Sequence, residues 1–178
     1  GSGSTTVADL LVSLDKTTLS NSGSDSISVT VIAVDASRNT VASVPVTVSV
    51  DANAVVTSST GSTGTDGKLT ATVIQGADRT NRTVTVSATS GSITRTTAFT
   101  VTGAQLAATL SKPVVNAGES QTITFRLTDV NGGAIGGQPI TISIAGTSAN
   151  ATMDALGVYA YTFNAPATAG VYPVVASA

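Results

Sequence analysis

Short segments in which every second residue is aliphatic recur along this chain. Ser26-Ile27-Ser28-Val29-Thr30-Val31-Ile32-Ala33 sets Ile27, Val29 and Val31 on one side and Ser and Thr on the other. Val44–Val50, Lys68–Val73 and Arg82–Ala88 keep the same period. Side chains alternate across a β-strand, so each segment predicts a strand with one buried and one wet face. Turn-forming clusters separate them: Asn21-Ser22-Gly23, Thr65-Asp66-Gly67, Gly76-Ala77-Asp78 and Ser90-Gly91-Ser92. Hydrophobic residues make up 41% of the chain and charged residues 10%, enough apolar material for a packed interior. β-Branched Thr and Val are abundant, which favours strands over helices. The chain reads as all-β, with strands short and frequent enough for sandwiches or barrels.

The second half repeats the first in order. Leu14-Asp15-Lys16 matches Leu110-Ser111-Lys112, and Ile27–Val31 matches Ile123–Leu127 at the same offset. Pro45–Val50 matches Pro139–Ile144, Gly67–Ala71 matches Gly157–Tyr161, and Val84–Ala88 matches Tyr172–Ala176. One duplicated domain explains this order better than one large domain. Residues 1–6 read as a linker or an expression-vector remnant, 7–103 as the first domain and 104–178 as the second. The junction falls at Gly103, Ala104 and Gln105, between the strand Ile93–Val101 and the strand opening near Leu106. Ile93–Val101 has no counterpart before Ala178, so the second domain is expected to be C-terminally truncated and to lack its last strand. Val171, Tyr172, Val174 and Ala176 are then expected to border an unpaired edge able to accept a strand from another chain.

Charge and reactive side chains exclude several classes of function. Ten acidic and eight basic residues are scattered singly, so no basic stripe awaits nucleic acid. No apolar run approaches the about 18 residues of a membrane helix, and no membrane insertion of this segment is expected. His and Cys are absent, which removes His-based triads, thiol nucleophiles and the usual soft metal ligands. No catalytic, cofactor or metal site is expected. Asp35, Asp66 and Asp129 read as turn residues bonding their own backbone, with calcium between domains as the weaker alternative. Tyr159, Tyr161 and Phe163 align with Leu69, Ala71 and Val73 and so read as core rather than as a sugar-stacking platform. Arg79, Arg82 and Arg95 read as a solvated surface group.

Two stretches carry a family likeness. Asp129-Val130-Asn131-Gly132-Gly133-Ala134-Ile135-Gly136-Gly137-Gln138-Pro139-Ile140-Thr141-Ile142 resembles the D-x-N-G-x-P-V-x-G-x-x-V-x-F segment of bacterial Ig-like domains of the invasin and intimin family. Thr65–Ala71 resembles that family's T-D-x-x-G-x-A hairpin entry, and Val84–Ser87 its V-T-V strand. The likeness covers roughly residues 8–178 in two copies. Ala36-Ser37-Arg38-Asn39 departs from the family's Asn-Gly turn, and Asp154-Ala155-Leu156-Gly157 from its Thr-Asp.

The resemblance implies two tandem immunoglobulin-like β-sandwich domains. It also implies an extracellular, outer-membrane-anchored adhesin of Gram-negative bacteria, of which this segment is a structural stalk. Neighbouring Ig-like domains, a host receptor or another adhesin are the implied partners. Two further readings stand beside the stalk: a module that itself binds a host protein, glycan or adhesin, and an accessory domain of a secreted carbohydrate-active enzyme.

Overall fold

A computed structural model describes residues 6–178; most of the linker or remnant expected at 1–6 lies outside the described residues. The described residues form strands and turns without a helix, and the chain divides into two compact units, Gly1–Gly103 and Ala104–Ala178.

Unit 1 holds β1 (Asp9–Leu14), β2 (Thr18–Ser20), β3 (Ile27–Val34), β4 (Pro45–Val50), β5 (Val55–Thr57), β6 (Thr60–Ser62), β7 (Lys68–Ile74), β8 (Arg82–Ser90) and β9 (Ile93–Thr102). One sheet has the order β1-β3-β7-β5 and the other β2-β9-β8-β4-β6. Among the described residues of this unit β2 pairs with β9 in parallel, and the other ladders are antiparallel. The alternating aliphatic residues point inward from both sheets. Ile27, Val29 and Val31 meet Val46, Val48, Val84, Val86, Phe99 and Val101 in one buried cluster. Burying a branched aliphatic side chain contributes about 1.5–3 kcal/mol, so this shared interior holds the sheets face to face.

Unit 2 holds β10 (Gln105–Leu110), β11 (Ser120–Thr128), β12 (Pro139–Ile144), β13 (Thr147–Thr152), β14 (Val158–Asn164) and β15 (Val174–Ser177). Its sheets have the orders β10-β11-β14 and β13-β12-β15. Ile123, Phe125, Leu127, Ile140, Ile142 and Met153 form its core. Tyr159, Tyr161 and Phe163 pack against that core from β14, with the rings of Tyr161 and Phe163 stacked at 5.9 Å. They supply volume to the interior rather than a surface platform. Between β12 and β13 the chain reverses over Ala145 (φ 50°) and Gly146 (φ 83°), the two left-handed residues of a tight hairpin turn.

The turn carboxylates behave alike in both units. Asp35 Oδ1 accepts from the backbone N–H of Ser37 and Asn39 at 2.9 and 3.0 Å. Asp129 Oδ1 accepts from Asn131 and Gly133 at 2.9 and 2.8 Å. Each thereby closes the turn after its strand, β3 or β11.

Two expectations need correction. Arg82 is not part of a solvated group: its guanidinium donates to the carbonyls of Ala52, Asp78, Thr80 and Gln75 at 2.6–2.8 Å, and its side chain is 12% exposed. It ties the end loops of unit 1 together. The second correction concerns register. Leu14 pairs with Val29 and Leu110 with Ile123, while Val31 pairs with Leu69 and Phe125 with Tyr159. The true counterpart of Ile123–Leu127 is therefore Val29–Ala33, two residues beyond the match made on pattern. A two-residue slip leaves every inward side chain inward, so alternation alone cannot detect it.

Candidate strand-pairing site

Placing the two units in this register exposes a gap. Val48 pairs with Ala88 and Val50 with Val86, just as Ile142 pairs with Ala176 and Ile144 with Val174. Thus β15 is the counterpart of β8. In unit 1, β8 is flanked by β4 and β9, and β9 by β2. In unit 2, β15 pairs with β12 on one side, and among the described residues no strand lies on the other. The segment Val114-Val115-Asn116, counterpart of β2, forms no strand. Among the described residues no strand lies between these two segments, where β9 lies in unit 1.

The interior beneath this position is open. A cleft of about 400 Å³ is lined by Leu106, Ala108, Leu110, Ile123, Phe125, Val174 and Ala176. A second hollow of about 630 Å³ continues it past Val115, Ile144, Phe163 and Tyr172. The counterparts of these residues in unit 1 lie under β9. Val86 is fully buried, whereas Val174 is 38% exposed; Leu19 is fully buried, whereas Val115 is half-buried. Leu110 is 47% exposed.

Polar groups frame one end of the gap. Lys112 bonds Glu119 at 2.6 Å, and Glu119 also accepts from the Asn116 N–H at 3.1 Å. The Lys112 hydrogen bond, then the Asn116 amide, hold the Glu119 carboxyl below its usual range. Lys16 and Asp25 form the equivalent pair in unit 1, where the Lys16 hydrogen bond and the Ser20 amide lower Asp25. Beside Glu119, Gln121 occupies the position that Ile27 fills in the core of unit 1. Its Oε1 accepts from Ser111 Oγ at 2.5 Å and from Lys112 N–H at 3.1 Å, and its amide donates to the Lys112 carbonyl. A buried amide so bonded pins the segment entering the gap at no unsatisfied cost.

Of the four residues expected at the edge, Val174 and Ala176 lie on β15, whereas Val171 and Tyr172 precede it. Val171 is 99% exposed, and the Tyr172 hydroxyl donates to the Thr168 carbonyl at 2.7 Å. At the junction, Gly103 has φ +117°, and a Cβ there would stand 2.3 Å from Asn21 Oδ1, so only glycine fits. Ala104 opens unit 2, and Gln105 begins β10. The contribution of β10 to the cleft has one signal in the sequence, the shared parity of Leu106, Ala108 and Leu110. Among the described residues no cluster of acidic side chains is placed to hold a metal ion.

Comparison with solved structures identifies the architecture. The Yersinia pseudotuberculosis adhesin InvE matches 99% of this chain with a TM-score of 0.58 at 18% identity. Invasin, described as a bacterial integrin-binding protein, matches 95% with a TM-score of 0.52 at 17% identity. The chain has the fold of a tandem of Ig-like β-sandwiches. These Ig-like units span 58% of the InvE chain and 36% of the invasin chain. The D0-D1 domain of intimin also matches, over 96% of this chain and 90% of its own, at 22% identity and a TM-score of 0.46. No protein-family model and no curated protein matches the chain.

Proposed function

We propose that this chain is a structural spacer of a bacterial cell-surface adhesin, its Ig-like units carrying a binding tip away from the cell. The observation that carries this reading is the fold match to the adhesin InvE, which runs through both units in sequence. The side chains agree with it. His and Cys are absent, and the turn carboxylates Asp35 and Asp129 are engaged with their own backbone, so the chain offers structure rather than chemistry. Purified residues 7–178 should show no saturable binding to host cells. Replacing them in the parent adhesin by an unrelated tandem sandwich of similar length should leave adhesion intact. Saturable cell binding by the isolated fragment would contradict the spacer reading and favour a receptor-binding module.

A further inference from the structure

We propose that the free edge of β14 pairs with the β14 of a second copy of this chain, antiparallel and two-fold about Thr162. Such pairing lies beyond the spacer role, which needs no partner.

The open edge has its cause inside unit 2. In unit 1 the connection from β4 to β6 runs through residues 51–59 and lays β5 against β7, pairing Val55 with Ile74, Val56 with Val73 and Thr57 with Thr72. In unit 2 the same connection is the turn Ala145-Gly146, which leads β12 directly into β13. No residues remain between them to form a counterpart of β5. Among the described residues β14 pairs with β11 on one side and with no strand on the other.

Main-chain geometry fixes which groups this edge presents. The Leu127 N–H donates to the Gly157 carbonyl at 2.9 Å, as the Ala33 N–H does to Gly67 in unit 1. Bonded pairs alternate along an antiparallel ladder, so Tyr159, Tyr161 and Phe163 turn their N–H and C=O groups to β11. Ala160, Thr162 and Asn164 turn theirs to the open side. Unit 1 agrees: Thr72, counterpart of Thr162, accepts at its carbonyl from Thr57 Oγ1 of β5 at 3.2 Å. The edge begins at Ala160 because Val158 is already closed by Asp154. The Val158 N–H donates to Asp154 Oδ1 and its carbonyl accepts from the Asp154 N–H, both at 2.9 Å.

A second β14 matches this edge. With Thr162 opposite its own mate, Ala160 lies opposite Asn164, and every outward N–H and C=O finds a partner, about six bonds in all. The same register sets Tyr161 beside Phe163 of the other copy at the closer, non-bonded spacing. The stack of Tyr161 on Phe163 then continues across the axis. Strand β14 carries neither a charge nor a proline, two devices that commonly block an edge, so two copies meet without repulsion. Strand β13 also ends a sheet, but its half-buried residues are Ala149 and Ala151, which offer a partner little apolar surface.

The test is sedimentation equilibrium and residue-resolved amide exchange on the full chain, over a concentration series up to about 1 mM. The expected result is a monomer–dimer equilibrium, with exchange at Ala160, Thr162 and Asn164 slowing at least about tenfold as the dimer fills. Thr162 is exposed on the outer face, so Thr162→Lys and Thr162→Glu leave the core intact. Each alone sets like charges on the axis and should weaken self-association at least about tenfold. An equimolar mixture, with Lys opposite Glu, should restore it. The exchange series on the native chain stands without either variant. Four results would overturn the proposal: a monomer throughout the series, single variants that dimerise as tightly as the native chain, a mixture no tighter than either variant alone, or protection that builds on β13 or β15 instead of β14.

Discussion

Unit 1 and unit 2 share their strand pattern, their Asx-closed turns and their Lys–carboxylate pair, but β8 of unit 1 is flanked on both sides, whereas among the described residues its counterpart β15 pairs on one. The consequence is visible residue by residue. Val86 is sealed while Val174 is not, and Leu19 is sealed while Val115 is not. Phe99 and Val101 pack from β9 into the interior of unit 1 beside β1, and among the described residues of unit 2 no strand occupies the equivalent place between β10 and β15. Unit 2 also lacks the Arg82 staple, because Gly170 stands at that position.

Several substitutions would break or sharpen this contrast. The largest effect is expected from Phe99→Ala, which reproduces the cleft of unit 2 inside unit 1. It should cost about 3–5 kcal/mol of unit 1 stability in urea denaturation, leaving unit 2 unchanged. A loss below about 1 kcal/mol would show that β9 is not the closing strand. Arg82→Ala leaves four carbonyls without their cation and should cost unit 1 about 2–4 kcal/mol, read in the same experiment. Gly67→Ala and Gly157→Ala test where the units agree. Gly67 has φ +75° and Gly157 φ +71°, and a Cβ would stand 2.6 Å from Thr40 Cβ in one and 2.8 Å from the Ile135 and Leu127 carbonyl oxygens in the other. Each should destabilise its own unit by about 1–3 kcal/mol; a large difference between them would deny their equivalence.

The smallest effect is expected from Asp25→Asn. Hydrogen bonds from Lys16 and Ser20 lower the Asp25 pKa in the folded state from its ordinary 3.8. Its stabilisation is therefore fully present above that ordinary value and is lost as pH falls through the lowered one. The variant should melt slightly below the native chain at pH 7, and the difference should vanish as pH falls well below 3.8. A difference that persists in strong acid would place the effect outside this ion pair.

Much of this was legible in the residues. Ile27, Val29 and Val31 announce a half-buried strand because a pleat alternates faces. Asp35 and Asp129 announce closed turns because a short carboxylate reaches its own backbone. The shorter elements were not legible. Strands β2, β5 and β6 are three residues each, too short for a period to emerge, and depend on partners distant in sequence. Strand β13 hid behind an Ala-Gly turn that lacks the Asn-Gly signature. Register along β11 escaped because a slip of two residues preserves the inward face; only the closure of the Asp129 turn and the pairing of Leu110 with Ile123 decide it. The cleft needed all three strands in place. Arg82 looked like any exposed cation because nothing local shows four carbonyls converging on it.

Residue-resolved amide exchange on the full chain tests the account most directly. Val84, Val86 and Ala88 should exchange slowly, their amides bonded to β9, while Tyr172, Val174 and Ala176 should exchange near the rate of an unprotected strand edge. Comparable protection at both triplets would mean that unit 2 already closes its sheet, and the contrast between the two sandwiches would fall.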